Sequence, residues 1–231
     1  MRLPPLLSGS LIKRYKRFLA DVLLDDGSTV TVHCPNTGSM MGCAIPGSRV
    51  LLSRSANLER KYPLSWELVH SDDYWIGINT GLPNRLTREA IEDGTIAELQ
   101  GYADIRGEVP YGERSRIDLL LEGANGRCFV EVKNVTLVEN GRALFPDAVT
   151  TRGQKHLQEL MRVVREGDRG VIFFTVQRGD GNTVSPADLI DPEYGRLLRL
   201  ALDNGVEALA YRAEVTPEEI RLVEKLAVIV T

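Results

Sequence analysis

The chain has 231 residues, 43% of them hydrophobic and 26% charged, with 28 Lys and Arg against 32 Asp and Glu for a formal charge of −4. That length suits one large domain or two of roughly 80 to 150 residues, and the composition excludes a disordered or low-complexity chain. The acidic total argues against a protein that coats nucleic acid by bulk charge alone.

At the start of the chain, residues 3–7 include Pro4 and Pro5 and are too short for the apolar core of a signal peptide. No stretch anywhere approaches the about 18 apolar residues of a membrane-spanning helix, so a soluble, cytoplasmic protein is expected. The first acid, Asp21, is preceded by Arg2, Lys13, Arg14, Lys16 and Arg17, and residues 1–82 carry a net +2 against −6 for residues 83–231. This basic strip fits either a solvated edge strand or a row of phosphate contacts. Within it, Tyr15 and Phe18 are placed to stack on bases or to enter a core.

Residues 11–24, 29–34, 50–54, 66–69 and 74–78 are short β-rich runs separated by Asp25-Asp26-Gly27-Ser28, Pro35-Asn36-Thr37-Gly38-Ser39 and Ser71-Asp72-Asp73. Five short strands in about eighty residues suit a small closed barrel of the OB type, with Trp66 and Trp75 in its core. Cys34, Cys43 and Cys128 are an odd number without a CxxC pair, and His33 has no partner pair at zinc spacing, so reduced thiols are expected.

The segment Asn79-Thr80-Gly81-Leu82-Pro83-Asn84 opposes regular structure and divides the chain into a domain at 1–82 and another at 83–231. Thr87 is the expected cap of a helix over 88–100, on which Glu98 falls late. Strands follow at 102–109, 117–122 and 127–138, then a helix at 151–165, a strand at 170–176, a helix at 192–203 and a strand at 207–214. That order predicts a mixed α/β domain.

The chemistry concentrates in Ser115-Arg116-Ile117-Asp118 and Phe129-Val130-Glu131-Val132-Lys133, which flank the hairpin loop Gly123-Ala124-Asn125-Gly126. A turn centred on Ala124-Asn125 sets Asp118 across from Glu131, and one centred on Asn125-Gly126 sets it across from Lys133. The two registers differ by two residues, so Asp118, Glu131 and Lys133 share one side in both. Ile117, Leu119, Val130 and Val132 would then bury on the other. Opposed carboxylates repel, and a divalent cation, Mg²⁺ or Mn²⁺, relieves the repulsion with hard oxygen ligands. With a lysine alongside, this is minimal equipment for phosphodiester hydrolysis; the competing reading is a cross-strand ion pair on a solvated sheet. Glu98 is a third candidate ligand. Arg116 shares the strand side of Asp118, and Arg152, Gln154, Lys155 and His156 occupy a helix start suited to anion contact.

The segments Asn36-Thr37-Gly38-Ser39-Met40, Ser115-Arg116-Ile117-Asp118, Phe129-Val130-Glu131-Val132-Lys133-Asn134-Val135 and Thr151-Arg152-Gly153-Gln154-Lys155-His156 resemble the sugar fermentation stimulation protein A family (SfsA) over nearly the whole chain. The resemblance implies an N-terminal OB-like domain, a C-terminal domain similar to PD-(D/E)XK nucleases, and DNA binding without strong sequence preference. It assigns Asp118 to the acidic position of the nuclease pattern and Glu131 with Lys133 to its (D/E)XK part. Ile117 replaces the nominal proline. A role in regulating sugar metabolism is attached to the family. Three functions are therefore weighed: a metal-dependent nuclease, a DNA-binding regulator with an inactive site, and a phosphoesterase acting on another substrate. The oligomeric state, a homodimer included, is left open.

Overall fold

The computed structural model describes residues 1–57, 59–71, 73–112, 115–124 and 126–230. Asp72 and Asn125, assigned above to turns, lie outside the described residues.

The first half builds a barrel from β1 (Leu6–Tyr15), β2 (Leu19–Leu24), β3 (Thr29–His33), β4 (Arg49–Arg54) and β5 (Leu64–Ser71), and β6 (Tyr74–Gly77) pairs with β5. The strands run in the order β3-β2-β1-β4-β5-β6, and β3 also pairs with β5, which closes the barrel. Leu11, Val22, Val32, Val50, Leu52 and Trp66 fill the interior. Trp75 instead is half-buried, packs edge-on against His70 and contributes to the core of the second half.

The expected run over 11–24 is two strands, not one. The chain reverses at Lys16 and Arg17, whose φ angles of 50° and 65° lie in the left-handed region that non-glycine residues seldom occupy. A residue there costs about 1 kcal/mol or more. The turn is held by the Arg14 guanidinium on the Arg17 carbonyl (2.8 Å) and by Arg17 itself on Thr37 O through Nε and Nη2 (2.9 and 2.6 Å).

The second half starts at α1 (Pro83–Glu92), with Pro83 in its first turn, followed by a 3₁₀ turn at Ala97–Leu99. The helix therefore begins five residues before the expected start, inside the segment read as a linker. Proline supports that position because it lacks an N–H that would go unpaired there anyway, and Thr87 is a buried helical residue rather than a cap. Then come β7 (Asp104–Tyr111), β8 (Ser115–Gly123), β9 (Gly126–Val135), β10 (Leu137–Glu139), β11 (Arg142–Phe145), α2 (Thr151–Arg165), β12 (Arg169–Val176), β13 (Thr183–Pro186), α3 (Pro192–Asp203), β14 (Glu207–Val215) and β15 (Ile220–Val228).

These strands form one mixed sheet in the order β10-β11-β13-β15-β14-β12-β9-β8-β7. β12 is parallel to both β9 and β14, while β8 is antiparallel to β9 and β7. Each face takes helices, because β9 and β12 are apolar on both sides. α1 buries Leu86, Ala90 and Ile91 with Leu119, Val130, Val132 and Phe173. α2 and α3 bury Leu157, Leu160, Leu197 and Leu198 with Leu120, Phe129, Ile172 and Phe174. The two halves join closely: Gly77 N donates to Gln177 O (3.0 Å), and a Cβ at Gly77 would stand 2.3 Å from the fully buried Gln177 Oε1. No helix among the described residues is long and apolar enough to cross a membrane.

Candidate active site

Hairpin register places the central acids. β8 and β9 pair from Gly123–Gly126 to Leu119–Val130, the register of a turn centred on Ala124-Asn125, and the ladder ends one step short of Asp118 and Glu131. There the strands part. Asp118 Oδ2 accepts the Val132 N–H at 2.8 Å, taking the place of a strand carbonyl, and Oδ1 accepts from Asn84 Nδ2 in the first turn of α1, also at 2.8 Å. Side-chain alternation breaks at the same point. Leu119, Val130 and Val132 bury on the α1 side as expected, but Ile117 joins the α2 side. Opposite Asp118 on β7, Glu108 takes a φ of 55°.

Glu131 is buried against α2, its side chain 3% exposed. Its Oε1 receives Lys133 Nζ at 2.6 Å and a short contact from His156 Nδ1, while Oε2 has no partner among the described residues. Arg152 Nε lies 3.4 Å from His156 Nε2, on the far side of the ring from Glu131. Burial alone would raise the Glu131 carboxyl, but the Lys133 charge and the His156 contact hold it below its ordinary value. Asp118 goes the other way. Burial, then the Glu131 charge, push it up to about 6 against the Val132, Lys133 and Asn84 contacts that favour its ionised form.

These groups line a cleft of about 560 Å³ between the halves, with Asp118, Glu131, Lys133, His156 and Arg152 on one side and Arg17, Asn36, Thr37 and Gly38 on the other. The loop from the barrel is pinned across it. Ser39 Oγ donates to Asp147 O (2.6 Å), and the Met40 N–H donates to Asp147 Oδ2 (2.9 Å). A Cβ at Gly38 would stand 2.9 Å from both Asp147 carboxylate oxygens, so only glycine allows this approach.

The expected site residues separate into three groups. Asp118, Glu131, Lys133, Arg152 and Arg17 meet in the cleft. Lys13, Arg14, Gln154 and Lys155 have internal partners: Lys13 pairs with Asp21 (3.6 Å), Arg14 donates to the Asn36 and Gly38 carbonyls (2.9 and 2.8 Å), Gln154 donates to Asp191 (2.9 Å), and Lys155 lies 3.4 Å from Glu159. Lys16 is exposed at the β1–β2 turn, and Arg116 is exposed with Nη1 on the Glu108 carbonyl (3.0 Å).

Glu98 does not reach the acid pair. After α1 the chain turns at Gly94 (φ 84°), and Glu98 binds Lys225 Nζ (2.5 Å) and Tyr211 O–H (2.8 Å) on β15 and β14. Among the described residues no group of three His, Cys, Asp or Glu side chains is arranged to hold an ion. Asn84 and Asp147 were not anticipated. The proline before Asn84 was the available signal, since it marks a helix start. His156, expected at a helix start suited to anion contact, is the inner neighbour of Glu131.

A raised Asp118 has a measurable consequence. The native state prefers its protonated form, so the stability it contributes is present below about pH 4 and lost as pH rises through about 6. In chelator, Asp118→Asn is therefore expected to stabilise the protein by about 1–3 kcal/mol at pH 7.5 and by nothing at pH 4. Paired thermal melts at the two pH values check it, and an equal shift at both would refute the cause.

The barrel, the mixed sheet and the cleft between them define an α/β protein with an OB barrel attached. Residues 81–219 match the sugar fermentation stimulation protein RE domain, and residues 12–78 match the SfsA N-terminal OB domain. The chain belongs to the sugar fermentation stimulation protein (SfsA) family. A sugar fermentation stimulation protein homolog of Pelobacter propionicus is 80% identical over 99% of this chain and 100% of its own. That of Geobacter metallireducens is 73% identical over 99% and 100%. The solved structure of Pyrococcus furiosus SfsA in complex with Ca²⁺ superposes with a TM-score of 0.91 at 29% identity, covering 99% of this chain and 98% of the other.

Proposed function

We propose that the protein binds DNA in the cleft and hydrolyses phosphodiesters there with a divalent cation, Mg²⁺ or Mn²⁺, held by Asp118 and Glu131. The observation that carries this reading is a buried carboxylate oxygen, Glu131 Oε2, with no partner among the described residues, beside a second carboxylate raised by burial and then by the Glu131 charge. Two hard anionic donors in that state fit a hard cation. The Ca²⁺ bound by the Pyrococcus furiosus relative supports the same class of ion.

When bound, such a cation supplies Lewis-acid stabilisation of charge on the phosphoryl oxygens. The chain's own residues do the rest. Lys133, held by Glu131 Oε1, presents an ammonium to the phosphate or to the attacking water. His156 fixes the carboxylate that Lys133 shares, and Arg152 fixes His156. In this reading the chain divides at 82/83, with the strand held by the barrel and the scissile phosphate by the α/β half. The family's description adds stimulation of sugar fermentation, a role that DNA binding by this cleft would mediate.

A second reading is DNA binding without cleavage. The Lys133 ammonium, 2.6 Å from Glu131 Oε1, favours it by competing with a cation for that oxygen. Incubating the protein with labelled DNA in Mg²⁺, in Mn²⁺ and in EDTA separates the two. Cleavage that EDTA removes is the expected result; binding without cleavage in either metal would establish the second reading.

A further inference from the structure

Of the five basic residues that precede Asp21, the four from Lys13 to Arg17 have unequal tasks in the fold. Lys13 and Arg14 are engaged within the protein, on Asp21 and on the carbonyls of the Asn36–Gly38 loop. Lys16 has no ion-pair partner among the described residues. Arg17 uses Nε and Nη2 on Thr37 O, leaving Nη1 without a protein partner among the described residues while it lines the cleft. The next residue, Phe18, is 45% exposed at the tip of the hairpin. A turn needs no apolar side chain there, and this one stands at a bend whose Lys16 and Arg17 both occupy the left-handed region. Further along the cleft, Val149 is 68% exposed.

The depth of the site adds a second constraint. Glu131 is 2% exposed at the cleft floor, and the loop from the barrel is tied to Asp147 above it. A cleft of about 560 Å³ accommodates a nucleotide or two. A single strand, which needs no room for a complement, reaches acids at that depth more readily than a duplex, whose grooves alone are about 6 to 12 Å wide.

We infer that the substrate is single-stranded nucleic acid, such as an unpaired end, with Phe18 stacking on a base at the mouth of the cleft and with Lys16 and Arg17 Nη1 contacting the adjoining phosphates. This rests on the proposed DNA-binding reading and narrows it. Aromatic stacking tolerates any base, and two cations on a short turn follow the backbone of one strand.

The test is fluorescence anisotropy in EDTA at low salt with the full chain, using labelled dT15, rU15 and a blunt 15-base-pair DNA duplex. The native protein is expected to bind one or both single strands at least about 10-fold tighter than the duplex, and Phe18→Ala to reduce that ratio by about 5- to 100-fold, the weight of one base stack. Phe18→Trp should preserve the ratio. Duplex bound as tightly as single strand, or a ratio unchanged in Phe18→Ala, overturns the inference and leaves DNA binding standing. Failure to bind all three probes overturns both readings. Because Phe18 is exposed, matched melting temperatures of variant and native protein establish that the fold is unchanged.

Discussion

Replacing Glu131 by Gln is expected to lower cation-dependent phosphodiester cleavage by at least about 100-fold, the scale on which a single electrostatic contact to the transition state usually matters. The substitution preserves shape, which is what a side chain 3% exposed between β9 and α2 requires. It removes the charge that Lys133 and His156 both face, and it turns the unpartnered Oε2 into a neutral amide position. Two readouts should move together. Mn²⁺ binding measured by calorimetry should weaken, and Asp118 should titrate lower, because the Glu131 charge is one of the causes that raise it. Cleavage at the native rate in Glu131→Gln, with Mn²⁺ present, would remove Glu131 from the chemistry. A melting temperature close to the native one excludes unfolding as the source of a loss.

The second large effect is on stability, at Asp191. Its carboxylate, 1% exposed, accepts the Thr150 N–H (2.8 Å) at the start of α2, the Tyr194 N–H (2.9 Å) in the first turn of α3, and Gln154 Nε2 (2.9 Å). One side chain therefore caps α3 and fixes the N-terminus of α2, from which Arg152 and His156 reach the cleft. Asp191→Ala strands at least two backbone donors away from water and deletes a helix cap, at a cost of about 3–5 kcal/mol. For a chain of this size that lowers Tm by roughly 10 °C. Asp191→Asn keeps an acceptor for one or two of the three donors and should lose less than half as much. Thermal denaturation of the two variants checks both statements. A fall of 2 °C or less for the alanine variant would show that water or a neighbouring group takes over the donors.

The same dependence on distant partners explains which features could be read along the chain. α2 and α3 were legible to the residue, because Thr150 and Asp191 are caps and the apolar positions behind them recur at helical spacing. α1 was shifted because Pro83 and Asn84 read locally as breakers, whereas proline in a first helical turn is tolerated. β11, β13 and β15 were not anticipated. The segment Ile220–Val228 is rich in Leu, Glu, Lys and Arg, good helix formers, and becomes a strand only by pairing with β14 and β13. The Lys16–Arg17 reversal was hidden for a related reason. Neither residue favours a left-handed φ, and what holds them there is Thr37 O and Arg14, from elsewhere in the fold.

For the site, the sequence by itself determined that Glu131 and Lys133, two residues apart on one strand, share a side, and that Asp118 lies near them across the hairpin, because a short loop leaves few registers. It also determined the barrel, from strand length and turn spacing, and the two helices α2 and α3. Only the tertiary structure decided that the ladder opens at Asp118, that His156 rather than Glu98 stands beside the acids, and that Lys13 pairs with Asp21 while Arg14 holds the protein's own loop. Each of these depends on contacts between residues far apart in the chain. A charge acquires its role from the partner within reach, and that partner is set by packing, which local spacing along a strand or helix does not encode.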